Sequence, residues 1–281
     1  MIDRLLRLVI SLGVAVVDVL AGRLSGARQS AGTCVVITYH AIASDARARF
    51  GRQLDMLLRL ALPIPAAKGL RLEKGRRYVA ITVDDVFRSF VDNGLPELCR
   101  RNLPVTLFPP AGYLGRKSSW NDYGGDNKVG EAVASAEDLK QIAKFNNVDF
   151  GSHGVMHADL ALLPEAQARQ ELQNSKAALQ GIVGREITAF SFPYGSYGAR
   201  ELRFASEAGY QFLFGSTPQQ LLAALDGGMI GRVGVQPSDW DIEFRLKICG
   251  AYRWVGRASA WKAKARSWLA GAAPGKDPNH G

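Results

Sequence analysis

Residues 78–85 read Tyr78-Val79-Ala80-Ile81-Thr82-Val83-Asp84-Asp85, an apolar run rich in β-branched residues that ends in two adjacent carboxylates. Such a run reads as a strand. Similar runs lie outward from it at 33–39, 105–108, 148–151 and 187–192, with weaker ones at 211–214 and 230–235. Helical patterns fall between them at 46–60, 89–101, 136–145, 164–183 and 199–207, the fourth with Pro164 in its first turn. Repeated alternation of strand and helix implies a parallel sheet with helical crossovers. A single α/β barrel domain is expected, with an open doubly wound sheet as the alternative.

The chain has 281 residues, 47% hydrophobic and 22% charged, enough for one large core. This composition excludes a disordered chain and a small disulfide-stapled scaffold. Cys34, Cys99 and Cys249 are far apart, form no CxxC pair and read as buried free thiols. The formal charge of +9 is concentrated at the ends. Residues 1–32 carry Arg4, Arg7, Arg23 and Arg28 against Asp3 and Asp18, and residues 245–281 carry eight basic residues against Asp277. The stretch between is balanced, which argues against a nucleic-acid enzyme, whose basic surplus would sit on the domain holding the chemistry.

Both ends are also apolar, which points to a membrane surface as a partner. Residues 5–20 are mostly aliphatic, but Arg7 and Asp18 interrupt them and they fall short of a spanning helix. They read as an interfacial helix or a non-cleaved signal. Trp254, Trp261 and Trp268 recur every seven residues among lysines and arginines, as on one face of a headgroup-level helix or of a helix docked on the barrel. The expected division is an apolar basic segment at 1–32, the barrel at 33–244, and a basic tryptophan-rich helix with a frayed tail at 245–281.

Parallel α/β domains carry their chemistry at the C-terminal ends of their strands. Asp84 and Asp85 stand at one such end. Adjacent strand residues point to opposite faces, so the two share a site only if the chain turns out of the strand there. A buried carboxylate pair needs a metal, a cation or hydrogen bonds, though an N-cap for the next helix would also use them. The 148–151 strand runs into Ser152-His153-Gly154-Val155-Met156-His157, where two of the chain's four histidines lie four residues apart. With Asp85 they could form a His2Asp metal site with positions open for water and substrate.

These residues carry a family resemblance. Thr82-Val83-Asp84-Asp85 resembles the first motif of the polysaccharide deacetylases (carbohydrate esterase family 4, NodB-like). His153 to His157 is similar to their second motif, Phe192-Pro193-Tyr194-Gly195 to their third, and Val36-Ile37-Thr38-Tyr39-His40 to the Y-H strand that opens many bacterial members. The resemblance spans roughly residues 33–240. It implies a distorted (β/α) barrel and metal-dependent removal of N-acetyl groups from amino sugars, in a polysaccharide or glycolipid of the bacterial cell envelope or an exopolysaccharide. Carried over, Asp84 is the general base, and Asp85, His153 and His157 hold one divalent metal, most often Zn2+. The backbone N–H of Tyr194, after Pro193, stabilises the oxyanion, and His40 is the acid that protonates the leaving amine. Trp240, in a late Asp-Trp pair, is a sugar-stacking wall.

Two positions depart from the family pattern. Val86 stands where glycine is usual, and the arginine that usually precedes the third motif and tethers the base is replaced by Ser191-Phe192. They motivate a catalytically impaired glycan-binding relative as one alternative. A barrel amidohydrolase acting on a non-carbohydrate C–N bond is the other.

Overall fold

A computed structural model describes residues 2–24, 32–120, 130–222, 224–225, 227–256 and 258. Seven parallel strands form its centre: β1 (Thr33–Tyr39), β2 (Arg77–Asp84), β3 (Val105–Phe108), β4 (Val148–Phe150), β5 (Ala189–Ser191), β6 (Phe212–Gly215) and β7 (Gly228–Gly234). The helices are α1 (Ile2–Leu24), α2 (Arg47–Leu60), α3 (Leu95–Arg100), α4 (Ala136–Ile142), α5 (Glu165–Val183), α6 (Ala199–Glu207) and α7 (Asp241–Ile248). These seven strands and five of the helices fall where the sequence places them, while the short strands Leu62–Ile64, Leu70–Arg71, Leu221–Leu222 and Ala224–Leu225 were not foreseen. The sequence reading missed α7, which runs across the expected boundary at residue 244.

Each strand pairs with its neighbours in sequence, and β7 returns to pair with β1, in register Val36 to Arg232. The ring closes between β4 and β5 at a single bridge, where Ser152 N donates to Ala189 O (2.9 Å) and Ser191 N donates to Ser152 O (2.9 Å). The result is the expected distorted (β/α) barrel. β1 shows the two-residue period of strand side chains. Val35, Ile37 and Tyr39 pack outward with Phe50, Leu54 and Leu57 of α2, while Cys34 and Val36 join Ala80, Phe108, Phe214 and Ile230 in a second cluster inside the barrel. Of the three free cysteines only Cys34 is fully buried; Cys99 and Cys249 are partly exposed.

The closure is tight. A Cβ at Gly151 would lie 2.2 Å from Phe108 Cε1 and 2.9 Å from Ala189 O. Gly151→Ala is therefore expected to destabilise the protein by about 1–3 kcal/mol. An unchanged denaturation midpoint would show that the β4–β5 junction has room to spare.

Candidate active site

Asp84 is the last residue of β2 and lies inside the barrel, 4% exposed. Arg232 of β7 meets it as a bidentate pair, Nη1 donating to Oδ1 at 2.7 Å and Nη2 to Oδ2 at 2.6 Å. The remaining donors of Arg232 reach Thr38 Oγ1 (3.3 Å), Thr82 Oγ1 (3.1 Å), Ser191 Oγ (2.8 Å) and Gly215 O (3.2 Å). The guanidinium rests over Phe108 and Phe214, 5.6 and 5.7 Å from their centroids. Burial by itself would push the Asp84 carboxyl up, but Arg232 outweighs it and holds the group well below the usual carboxylate range. The native value lies below the unfolded one, so this pair stabilises the fold above about pH 4 and the contribution is lost as the pH falls toward the native value.

An arginine bonded to Asp84 is thus present, supplied from β7, two strands along the ring from the position before the third motif. Ser191, which stands at that position, bonds both partners: its Oγ accepts from Arg232 and donates to Asp84 Oδ2 (3.2 Å). Arg232 escaped the sequence reading, although a lone arginine inside the 230–235 apolar run was a visible signal.

Directly after Asp84 the chain turns out of the strand. Asp85 and Val86 have φ of 61° and 53°, and Val86 N donates to Asp84 O at 2.7 Å. This turn places Asp85 in the same site as Asp84. Left-handed backbone costs a β-branched residue about 1–2 kcal/mol, and burial of the Val86 side chain offsets it. Ala134 N donates to Val86 O (2.9 Å), so the segment after β3 folds back and pins the turn. The same segment brings Trp120, packed with Phe87 and Val133, to donate its Nε1–H to Asp85 Oδ2 at 3.3 Å.

His153 and His157 follow β4. Asp85 Oδ1 lies 3.9 Å from His153 Nε2 and 3.4 Å from His157 Nε2. The carboxylate and the two imidazoles offer ligand atoms within 4.8 Å of one another, all buried, and could hold a metal ion. Their chemistry fits one. His153 Nδ1 lies 2.8 Å from Ser191 O, which only accepts, so Nδ1 carries the proton and Nε2 presents its lone pair to the centre. Burial lowers the pKa of His153, and burial together with nearby His153 lowers that of His157 to about 2, so both rings are neutral as ligands must be. Trp120 stacks on His157 at 4.1 Å between centroids and 7° between planes, and Glu171 of α5 accepts from Val155 N and Met156 N to fix the loop.

Asp84, His153 and His157 line a pocket of about 780 Å3 together with His40, Tyr194 and Arg232. His40 directly follows β1, and Tyr194 sits at φ 58° in the turn after β5 that begins with buried Pro193. The Tyr194 ring meets His157 edge-on at 4.8 Å and is 41% exposed. Trp240 is not among the residues that line the pocket; Arg4, which does line it, covers the Trp240 ring at 4.3 Å and is itself held by a hydrogen bond to Ser238 O and an ion pair with Glu243. A second aromatic ring against His157, besides that of Tyr194, is that of Trp120, which no sequence motif marked. Asp239 is occupied by Lys247 at 2.7 Å and by Gln236 N.

The strained turn yields a test. Alanine keeps the left-handed penalty and loses the buried methyl groups, whereas glycine loses more side chain and removes the penalty. Val86→Gly is expected to be more stable than Val86→Ala by about 1 kcal/mol, the reverse of the usual order. Chemical denaturation of the two variants decides it, and the ordinary alanine-over-glycine ranking would refute the strain.

No curated protein matches this sequence. Among solved structures it is similar to IcaB from Ammonifex degensii, at 23% identity and a TM-score of 0.64 over 80% of this chain and 98% of that one. It is likewise similar to the de-N-acetylase of Aggregatibacter actinomycetemcomitans (13%, TM-score 0.62, 76% and 99%) and to a polysaccharide deacetylase of Bacillus cereus (18%, TM-score 0.61, 77% and 69%). These likenesses establish the shared fold. The family model for polysaccharide deacetylases matches residues 71–213, half of the chain, and this span holds the double aspartate, the histidine pair and the Pro193 turn. The chain belongs to the polysaccharide deacetylase family.

Proposed function

We propose that the protein is a metal-dependent hydrolase that removes N-acetyl groups from an amino sugar of a polysaccharide or glycolipid. The observation that carries this reading is the convergence of Asp85, His153 and His157 beside a carboxylate held ionised by Arg232, in a pocket open to solvent. A divalent ion bound by the three residues, with Zn2+ matching a two-imidazole, one-carboxylate donor set, would act as the Lewis acid for the amide carbonyl and for water. Asp84 takes the proton of the attacking water, and its bidentate pair with Arg232 fixes which way its oxygens point. The backbone N–H of Tyr194, a residue of the pocket wall in a left-handed turn, is the donor to the oxyanion. His40 hands a proton to the departing amine. The exposed ring of Tyr194 gives a sugar an apolar face to lie against.

Acetate release from N-acetylglucosamine oligomers by zinc-loaded protein tests this directly. Asp84→Asn is expected to lower kcat by at least about 10²-fold, and chelation to abolish turnover. His40→Gln is expected to cost about 10²-fold on the N-acetyl substrate and far less on 4-nitrophenyl acetate, whose leaving group departs without a proton. Equal losses on both substrates would remove His40 from the acid role. Turnover that survives both chelation and Asp84→Asn would sink the reading.

A further inference from the structure

α1 is amphipathic in an unusual sense. The side turned to the barrel is held by polar contacts: Arg4 on Glu243 and Ser238, Ser11 Oγ accepting from Trp254 Nε1 (2.9 Å), and Asp18 paired with both terminal nitrogens of Arg253 (2.6 and 2.8 Å). Leu8, Val14 and Ala15 add partly buried contacts on this side. The outward side carries Leu6, Val9, Val16, Val17, Val19 and Leu20, each between 51 and 64% exposed. An aliphatic face of this length in water is unfavourable and marks an interaction surface.

Charge identifies what covers it. The segment that packs on α1 through Arg253 and Trp254 continues in sequence with Arg257, Lys262, Lys264, Arg266 and Lys276 against Asp277 alone. An apolar helix face on a chain that carries this run of cations in sequence complements an anionic lipid surface better than a second, equally cationic copy of the chain. No helix among the described residues is long and apolar enough to cross a membrane, and α1 is fastened to the barrel along its inner side. Lying in the interface is the geometry that remains. The first two turns of α1 have a second role: Asp3, Arg4 and Arg7 form one wall of the pocket. One element therefore both faces the lipid and borders the site.

We propose that α1 seats the protein on an anionic membrane surface and that the site acts on an N-acetylated sugar carried by a membrane lipid. The substrate half rests on the hydrolase reading above. The test uses the full chain loaded with zinc, vesicles of phosphatidylglycerol and phosphatidylcholine or of phosphatidylcholine alone, and the variant Val9→Glu/Val17→Glu, whose positions lie outside the pocket. The parent protein is expected to sediment with the anionic vesicles and the variant to bind them more than about tenfold more weakly. With an N-acetylglucosaminyl glycolipid in the vesicles, acetate release by the variant should fall in proportion, while its rate on soluble N-acetylglucosamine oligomers stays that of the parent. Failure of the parent to bind anionic vesicles would overturn the surface, as would a dimer in solution that the variant disperses. Equal rates of parent and variant on the vesicle-borne substrate would overturn the substrate class. Absence of acetate from both substrates would overturn the hydrolase reading and the substrate class with it, while sedimentation still decides the membrane surface.

Discussion

Asp84 and Arg232 are enclosed by the barrel, and neither charge could be there without the other. Stripping a carboxylate of water costs several kcal/mol, and the geometry meets that cost with two short charge-assisted hydrogen bonds. Arg232 spends its other donors on Thr38, Thr82, Ser191 and Gly215, so one side chain ties β7 to β1, β2, β5 and β6. The upper layer of the barrel interior is in this sense a polar network built around a single ion pair. Its being fully bonded is what lets a carboxylate remain ionised at that depth.

The rest of the site is hung on that layer. Because Asp84 points inward, the chain must reverse at once for Asp85 to join it, and the left-handed turn at Asp85 and Val86 accomplishes this. Ser191 links the two halves, since its Oγ bonds the ion pair and its carbonyl orients His153. The Ser152 bridge that closes the barrel lies beside His153 in sequence, so the position of the histidine pair depends on closure of the ring. Fold and donor geometry are therefore the same set of hydrogen bonds seen at two scales.

The strand and helix pattern was legible because buried parallel strands leave compact apolar runs, and the metal-ligand candidates were legible because they directly follow such runs. Arg232 was not, since its meaning depends on a partner 148 residues away in sequence. Trp120 lies in a long connection with no periodicity to read, and only the folding back of that connection onto Val86 brings it to His157. The contact at Trp240 was hidden for the same reason: Arg4, which covers its ring, lies 236 residues earlier in sequence. α7 mixes acidic and basic residues with apolar ones, so charge drew a boundary through it. The seven-residue tryptophan spacing is met by structure only at Trp254, which bonds Ser11; Trp261 and Trp268 lie outside the described residues.

The claim on which this account turns is that the base works only when an arginine is bonded to it inside the barrel, whichever strand supplies that arginine. The direct measurement is kcat for acetate release by Arg232→Ser and by the exchange variant Ser191→Arg/Arg232→Ser, with folding of both checked by thermal unfolding. The account predicts severe loss in the single variant and recovery by more than about tenfold in the exchange variant, whose arginine again faces Asp84 from β5. Parental activity in Arg232→Ser, or a well-folded exchange variant no more active than the single one, would contradict it.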